Sequence, residues 1–326
     1  MKKRALIRKA CAIALAAFLP ASALAQDGYP AKSIRLIVPF PPAGGTDVLS
    51  RALAQSIANT TGWTLVIDNK PGASGNIGLE AAARAPADGY TLAMGQTANL
   101  AINPALYATM PFDPLKDFAP VALVSSQPLI LVVGSNSPYK TLQELVEAAK
   151  ASPGKLNMGS SSNGTMGHIG GELFQRRAGV KFTHIPYKGA GPVVTDLMGG
   201  SVDLFFGNTQ AVGGLVHGGR LRALAVTSPG RLANFPAIPT LAESGYPGFE
   251  AATWSGLIAP AGTPQPVIDR LNAEANKALR QRDLLDKLKE DGSIPLGGTP
   301  KQFADVIRSE HAKWGAVVRE AHIKLD

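Results

Sequence analysis

The chain has 326 residues, 45% of them hydrophobic, with 32 basic residues against 24 acidic ones and a single cysteine. At that length apolar burial sustains a fold without disulfides, and one hydrophobic core tends to divide into two. The formal charge of +8 is no pointer to nucleic acid: Lys2, Lys3, Arg4, Arg8 and Lys9 head the chain, and without them about +3 remains.

Residues 1–25 read as a secretory signal peptide. A basic head precedes the apolar run Ala10 to Leu19, which is too short to span a bilayer, and Ala23-Leu24-Ala25 is a small-residue cleavage site. The alternative is an uncleaved N-terminal anchor. Cys11 lies inside that run behind Arg8-Lys9-Ala10, a poor setting for lipidation, so the exported form has no cysteine.

Ile34 to Val38 is a β-rich run that predicts the first strand. Val48, Leu49, Ala52, Leu53 and Ile57 then recur at helical spacing, and Gly62 closes that helix. Trp63 to Ile67 predicts a second strand, Ile77 to Arg84 a helix and Tyr90 to Met94 a third strand. Such alternation argues for a parallel sheet with helices on both faces. Val121 to Val133 is apolar but broken by Ser125-Ser126-Gln127-Pro128, which fits two short strands or one long bent strand.

Thr141 and Glu144 have capping-box spacing ahead of a helix that ends at Pro153-Gly154. A second alternating series follows: strand Leu156 to Met158, helix Thr165 to Arg177, strand Phe182 to Pro186, helix Val193 to Met198, strand Val202 to Phe206, helix Ala211 to Val216 and strand Leu221 to Thr227. Trp254 to Ala259 predicts a strand returning to the first half. Thr263-Pro264 and Thr299-Pro300 each place a capping residue before a proline, opening late helices near 271–279 and 303–318, with a third near 284–289.

The stretch from Pro39 to Asp47 joins the first strand to the first helix through Phe40, Pro41, Pro42, Ala43, Gly44, Gly45 and Thr46. Helix starts carry unpaired N–H groups and about half a positive charge, so such a loop holds an anion without Lys or Arg. Ser160, Ser161, Ser162, Asn163, Gly164 and Thr165 repeat that strand-to-helix geometry with hydroxyl and amide donors, N-capping by Ser162 or Thr165 being the plainer reading. Asp47 either braces its loop from behind or receives an ammonium group. Asp203 is expected to be partly buried and hydrogen-bonded, Tyr187 and Lys188 end a strand from which Lys188 either points at the ligand or is simply solvated, and His168 supports the second loop.

Other chemistry lacks a foothold. Gly72, Gly75 and Gly78 do not have dinucleotide-binding spacing and serve turns and packing instead, and no phosphate-cradling Gly-Lys-Ser/Thr follows any loop. The serines have no nucleophile elbow, and the histidines have no zinc-binding pattern. No catalytic residue, metal or cofactor is assigned. An exported hydrolase or esterase using a Ser-rich loop is the competing class.

Together the motifs resemble the Bug family of extracytoplasmic solute receptors, the binding components of tripartite tricarboxylate transporters. The resemblance rests on Pro39-Phe40, Gly44-Gly45, Asp47, Asn69, Pro71-Gly72, Gly75-Asn76, Gly78, Asp88 to Leu92, Asn103-Pro104, Gly164-Thr165, His168, Tyr187 to Gly189, Asp196, Gly199-Gly200, Asp203, Pro239-Thr240, Glu243, Gly245, Trp254, Gly256 and Ala259 to Pro264. Ala43 departs from it, standing where many members have glycine.

The resemblance implies a two-lobed periplasmic binding protein of type II-like α/β fold. Two parallel-rich sheets flanked by helices would form residues 27–124 with 253–326 as lobe 1, and 125–252 as lobe 2, with the ligand cleft between them. The two loops would grip one carboxylate of a small organic acid, partly through ordered water, while Gln96, Asn99, Phe206 and Asn208 read its far end. The implied partners are the carboxylate and the permease subunits of the transporter, or a sensor protein if the receptor signals instead. The expected form is a periplasmic monomer that binds no nucleic acid.

Overall fold

The computed structural model describes residues 28–42, 44–290 and 292–323. Residues up to Lys32 and residues Ser33–Asp326 form separate units, and everything below concerns the second. The expected signal peptide and cleavage site, with Cys11, lie outside the described residues, as does Ala43.

The first half opens with strand β1 (Ile34–Val38), whose side chains are buried except Arg35. Helix α1 (Gly45–Thr61) follows and stops where Gly62 takes the left-handed conformation, its N–H capping Ala58 O. Strand β2 (Leu65–Asn69) pairs parallel to β1 from Ile34 opposite Leu65. It begins two residues later than the sequence suggests because the Trp63 N–H is turned back onto the Thr61 hydroxyl, at 3.0 Å, and is lost to the ladder. Helix α2 (Asn76–Ala83) and strand β3 (Thr91–Gln96) complete the alternation, and β3 lies parallel to β1 on its other side. A short helix α3 (Asn103–Leu106) follows a π-helical turn, Ala98–Ile102.

Strand β4 (Phe118–Gly134) is a single strand of 17 residues. The polar break in its sequence marks a handover and not an end. Phe118 to Pro128 pair with strand β9 (Ala252–Pro260), and from Leu129 onward the partners are strands β7 (Leu204–Asn208) and β8 (Leu221–Val226), all antiparallel. Between these lie helix α4 (Leu142–Ala151) with its expected capping box, strand β5 (Asn157–Ser160), helix α5 (Met166–Ala178), strand β6 (Thr183–Pro186), helix α6 (Ala190–Gly199) and helix α7 (Thr209–His217). Strand β5 is parallel to both β6 and β7.

The last third supplies helix α8 (Gln265–Ala278), helix α9 (Arg282–Glu290), the two-residue strand β10 (Ile294–Pro295) and helix α10 (Pro300–Glu320). Thr299 caps α10 in a full capping box, but Thr263 does not cap α8. The α8 cap is Pro264, and the Thr263 hydroxyl donates instead to Pro260 O at 2.8 Å.

All strands share one mixed sheet, ordered β2-β1-β3-β9-β4-β7-β5-β6, with β8 and β10 also on β4. It is one hydrogen-bonded path and not two, because β4 runs through both halves. Strand β9, arriving from far along the chain, separates β3 from β4. Helices cover the sheet, and α10 buries Phe303, Ile307 and Trp314 against it.

Candidate functional site

The C-terminal end of β1 and the start of α1 are held by a buried acid. Asp47, 2% exposed, accepts from Arg51 Nε at 2.9 Å and from Asn69 Nδ2 at 2.9 Å. Asn69 Nδ2 also donates to Phe40 O at 3.1 Å. Asp47 thus braces its loop from behind, which is the first of the two roles the sequence allowed. The α1 cap is Gly44, which has no side chain to cap the helix. Close packing fixes the neighbouring loop: a Cβ on Gly78 would stand 2.7 Å from Pro39 Cβ and 2.8 Å from Lys70 O.

Beside this helix start lies a cavity of about 220 Å³, below the roughly 300–1,000 Å³ typical of sites for drug-sized molecules. Its walls are Gly45, Thr46 and Leu49 from α1, Gln96 from the end of β3, Ser125 and Gln127 from β4, and Thr253 and Ser255 from β9. Asn208 and Gln210 close one side, and Leu288 and Ser293 another. Among the described residues none of these is charged.

The register explains why these side chains meet. Gln96 stands opposite Ser255 across β3 and β9, Ser125 opposite Ser255 across β4 and β9, and Gln127 opposite Thr253. Directly paired residues share a face of the sheet, so three strands build one polar floor. Gln96 Nε2 donates to Thr46 Oγ1 at 2.5 Å and to Ser255 Oγ at 3.2 Å. Asn208 Oδ1 caps α7 by accepting from Ala211 N at 2.9 Å, which leaves its amide N–H groups as the side chain's remaining polar capacity. Gln210 reaches across to the start of α1, where a Cβ on Gly45 would lie 3.3 Å from Gln210 Oε1.

Of the residues singled out in the sequence, Gly45, Thr46, Gln96 and Asn208 line this cavity. Phe40, Pro41, Pro42 and Gly44 form the loop beside it. Asn99 is fully buried behind Gln96, accepting from its backbone N–H at 2.9 Å, and its own Nδ2 has no partner. Phe206 is not at the cleft: its ring is 1% exposed and packs 5.7 Å from that of Phe174. Asp203 lies at the opposite end of its strands from the Ser160 loop, where its carboxylate accepts from Asn157 N at 2.7 Å.

The Ser160 to Thr165 loop does not line the cavity, and two of its hydroxyls are occupied. Ser160 Oγ donates to Ser162 O at 3.0 Å, and Thr165 Oγ1 donates to the same carbonyl at 2.8 Å. Neither Ser162 nor Thr165 caps α5 through its side chain, contrary to the plainer sequence reading. Asn163 and Gly164 complete the loop. Tyr187 N donates to Ser160 O and Gly189 N to Ser161 O, at 2.9 and 2.8 Å, which joins the Tyr187–Gly189 turn to it. The Tyr187 hydroxyl donates to Asp196, and Lys188 is exposed.

Under this loop the rings of His168 and His184 stack, with centroids 3.7 Å apart and planes 7° from parallel. Gly164 N donates to His168 Nδ1 at 3.2 Å, so the His168 proton is on Nε2, facing Glu172 Oε1 at 3.9 Å. With its own proton given to Ser162, Ser160 Oγ accepts from His184 Nε2 at 2.6 Å. Burial, and then the neighbouring His184, depress His168 to about 3, and burial lowers His184 as well. Because His168 is neutral at neutral pH, its 3.9 Å approach to Glu172 is not an ion pair there, and burial pushes the Glu172 carboxyl up.

This cluster sets an acid limit. The unfolded chain protonates His168 near 6.5 and the folded chain only near 3, so stability is full above 6.5 and falls as pH drops between those values. At pH 5 the loss from His168 is about 2 kcal/mol. Glu172, raised in the folded state, acts in the opposite sense. Urea titrations at pH 7.5 and 5.0 should therefore show a smaller difference for His168→Gln than for the unmodified protein. An equal difference would remove His168 from the account.

Sequence reasoning missed Ser125, Gln127, Thr253, Ser255 and Gln210. The signal for the first two was present: the polar interruption of an apolar run that proves to be the middle of a central strand.

A mixed sheet flanked by helices, with an uncharged polar cavity beside a helix start, is the architecture this chain shares with solute-binding proteins of the periplasmic binding protein fold. Residues 49–323 match the family model described as the tripartite tricarboxylate transporter family receptor, TctC. The chain is 40% identical to protein BugT of Bordetella pertussis over 306 residues, 94% of each chain. The structure of R. palustris Rpa4515 with adipate is 38% identical, with a TM-score of 0.78 over 91% of this chain and 100% of the other. The periplasmic binding protein BugD is 33% identical, with a TM-score of 0.74 and the same coverage. The chain belongs to the TctC family of receptors, whose members bind solutes and are not enzymes.

Proposed function

We propose that this receptor captures a small organic dicarboxylate in the cavity at the start of α1, works in the periplasm after cleavage of residues 1–25, and delivers its ligand as a monomer to the permease subunits of a tripartite transporter. The carrying observation is the donor set: an α1 start without a side-chain cap, the Thr46 and Ser255 hydroxyls and the Asn208 amide, with no charged side chain among the described lining residues. Neutral donors in such a site stabilise a carboxylate without a countercharge, and no described lining residue offers a carboxylate to a ligand ammonium. The adipate held by Rpa4515 supports the same class.

On this reading residues 27–124 with 253–326 form one lobe and 125–252 the other, in a type II-like arrangement, with the cavity between them. Residues from both segments line that cavity, so a filled site favours closure over opening. The Ser160 to Thr165 loop, which stands outside the cavity, is then the second lobe's jaw and approaches the ligand only on further closure.

A thermal-shift screen against C4 to C6 dicarboxylates, monocarboxylates, tricarboxylates and amino acids tests the reading. A ligand at a hundred times its Kd adds about 2.7 kcal/mol, which for a chain of this size raises the midpoint by roughly 5 °C. Dicarboxylates should move it and amino acids should not. A panel in which no carboxylate moves the midpoint sinks the proposal.

A further inference from the structure

We propose that Gln96 is a positioning residue that makes the cavity a reader of ionised carboxylates in preference to their amides; the inference rests on the dicarboxylate reading above. Gln96 sits at the end of β3 with its backbone N–H held by Asn99 Oδ1 at 2.9 Å, and it is 9% exposed. Its side-chain nitrogen gives one hydrogen bond to Thr46 Oγ1 and one to Ser255 Oγ. An amide nitrogen has two protons and no lone pair to offer, so both hydroxyls are acceptors in these bonds.

Each hydroxyl has a single proton, and neither donates to another described residue. With the lone-pair side of each oxygen occupied by Gln96, the protons of Thr46 and Ser255 are directed to what fills the cavity that both residues line. A carboxylate oxygen accepts both, because ionised it has acceptor sites only. An amide of the same shape offers an NH2 group in place of one oxygen and sets donor against donor. Discrimination of this kind is strong because a mismatched polar group in a closed site is left unpaired.

Two substitutions separate this role from a purely structural one. Gln96→Met keeps the volume and adds no charge, but frees the two hydroxyls to turn. Gln96→Glu reverses them, because a carboxylate at residue 96 takes their protons and leaves lone pairs toward the ligand. The measurement is isothermal titration of the mature protein with adipate and with adipamide at pH 7.5, read as the ratio of the two dissociation constants.

The unmodified protein should prefer adipate by at least a hundredfold. Gln96→Met should cut that ratio about tenfold, and Gln96→Glu should reverse the preference. The proposal is overturned if Gln96→Met leaves the ratio within twofold, or if Gln96→Glu weakens both ligands alike. Should Gln96→Glu fail to fold, as judged by its melting curve, the Gln96→Met ratio decides alone. If the unmodified protein binds no C4 to C6 dicarboxylate, the dicarboxylate reading itself has failed and this inference falls with it.

Discussion

Replacing Gly256 by alanine is expected to lower the unfolding free energy by about 3 kcal/mol. Gly256 lies in β9 between Ser255 and Leu257, facing the helix that covers the sheet. A Cβ there would stand 2.3 Å from Phe303 Cζ, 2.6 Å from Phe303 Cε1 and 2.9 Å from the backbone oxygen of Ala122. Phe303 is fully buried and packs edge-on against Trp254 at 5.7 Å, so its ring has nowhere to retreat. The absence of one methyl therefore lets the Phe303 ring lie directly on β9. Because the strain is shared with Phe303, the two positions should couple. Gly256→Ala combined with Phe303→Leu should cost at least about 1 kcal/mol less than the two single losses added together. Urea titrations of the four proteins measure this, and simple additivity would show that the ring is not the obstacle.

The second large effect is expected at Asp47, where it touches both stability and binding. Asp47→Ala removes the acceptor for Asn69 Nδ2 and Arg51 Nε and leaves a buried space, at a cost of about 2 kcal/mol. The Arg51 guanidinium is exposed and rehydrates, so it adds nothing to that figure. The same change releases Asn69, which also holds Phe40 O, so the loop before α1 loses its brace. Dicarboxylate affinity should fall about tenfold or more, although Asp47 does not line the cavity. Asp47→Asn keeps one acceptor oxygen and should recover most of both losses. Were Asp47 instead a receiver of ligand ammonium groups, Asp47→Asn would abolish amino-acid binding while leaving stability intact, and calorimetry with the two ligand classes distinguishes these outcomes.

Local chemistry made the elements of this fold legible in sequence. The Thr141 and Thr299 capping boxes, Gly62 at the end of α1 and the β-rich run Ile34 to Val38 each act through neighbours a few residues away. Thr263 misled because its hydroxyl found a closer acceptor in Pro260 O, a choice made by turn geometry that spacing does not reveal. The cavity was only half legible. Gly45 and Thr46 announce themselves by standing between a strand and a helix, and Asn208 by following a strand. Ser125 and Thr253 acquire meaning only when β4 and β9 pair in register, and no local signal states which strands will be neighbours. Phe206 was misplaced for a related reason: the sequence marks the end of a strand, but which face of the sheet meets Phe174 is decided by packing.

The position of β9 between β3 and β4 has a consequence for how the protein comes into being. Released N-terminus first, the chain completes the segment holding β3 more than 150 residues before β9 appears. Until then β3 and the first part of β4 present unpaired edges, while β5, β6 and β7 lie close together in sequence and can assemble early. Thr46 and Gln96 meanwhile wait for Ser255, the residue that completes their hydrogen-bonded trio. A chain stopped short of residue 252 would have open strand edges and a polar floor without its middle strand, making it both sticky and blind to its solute.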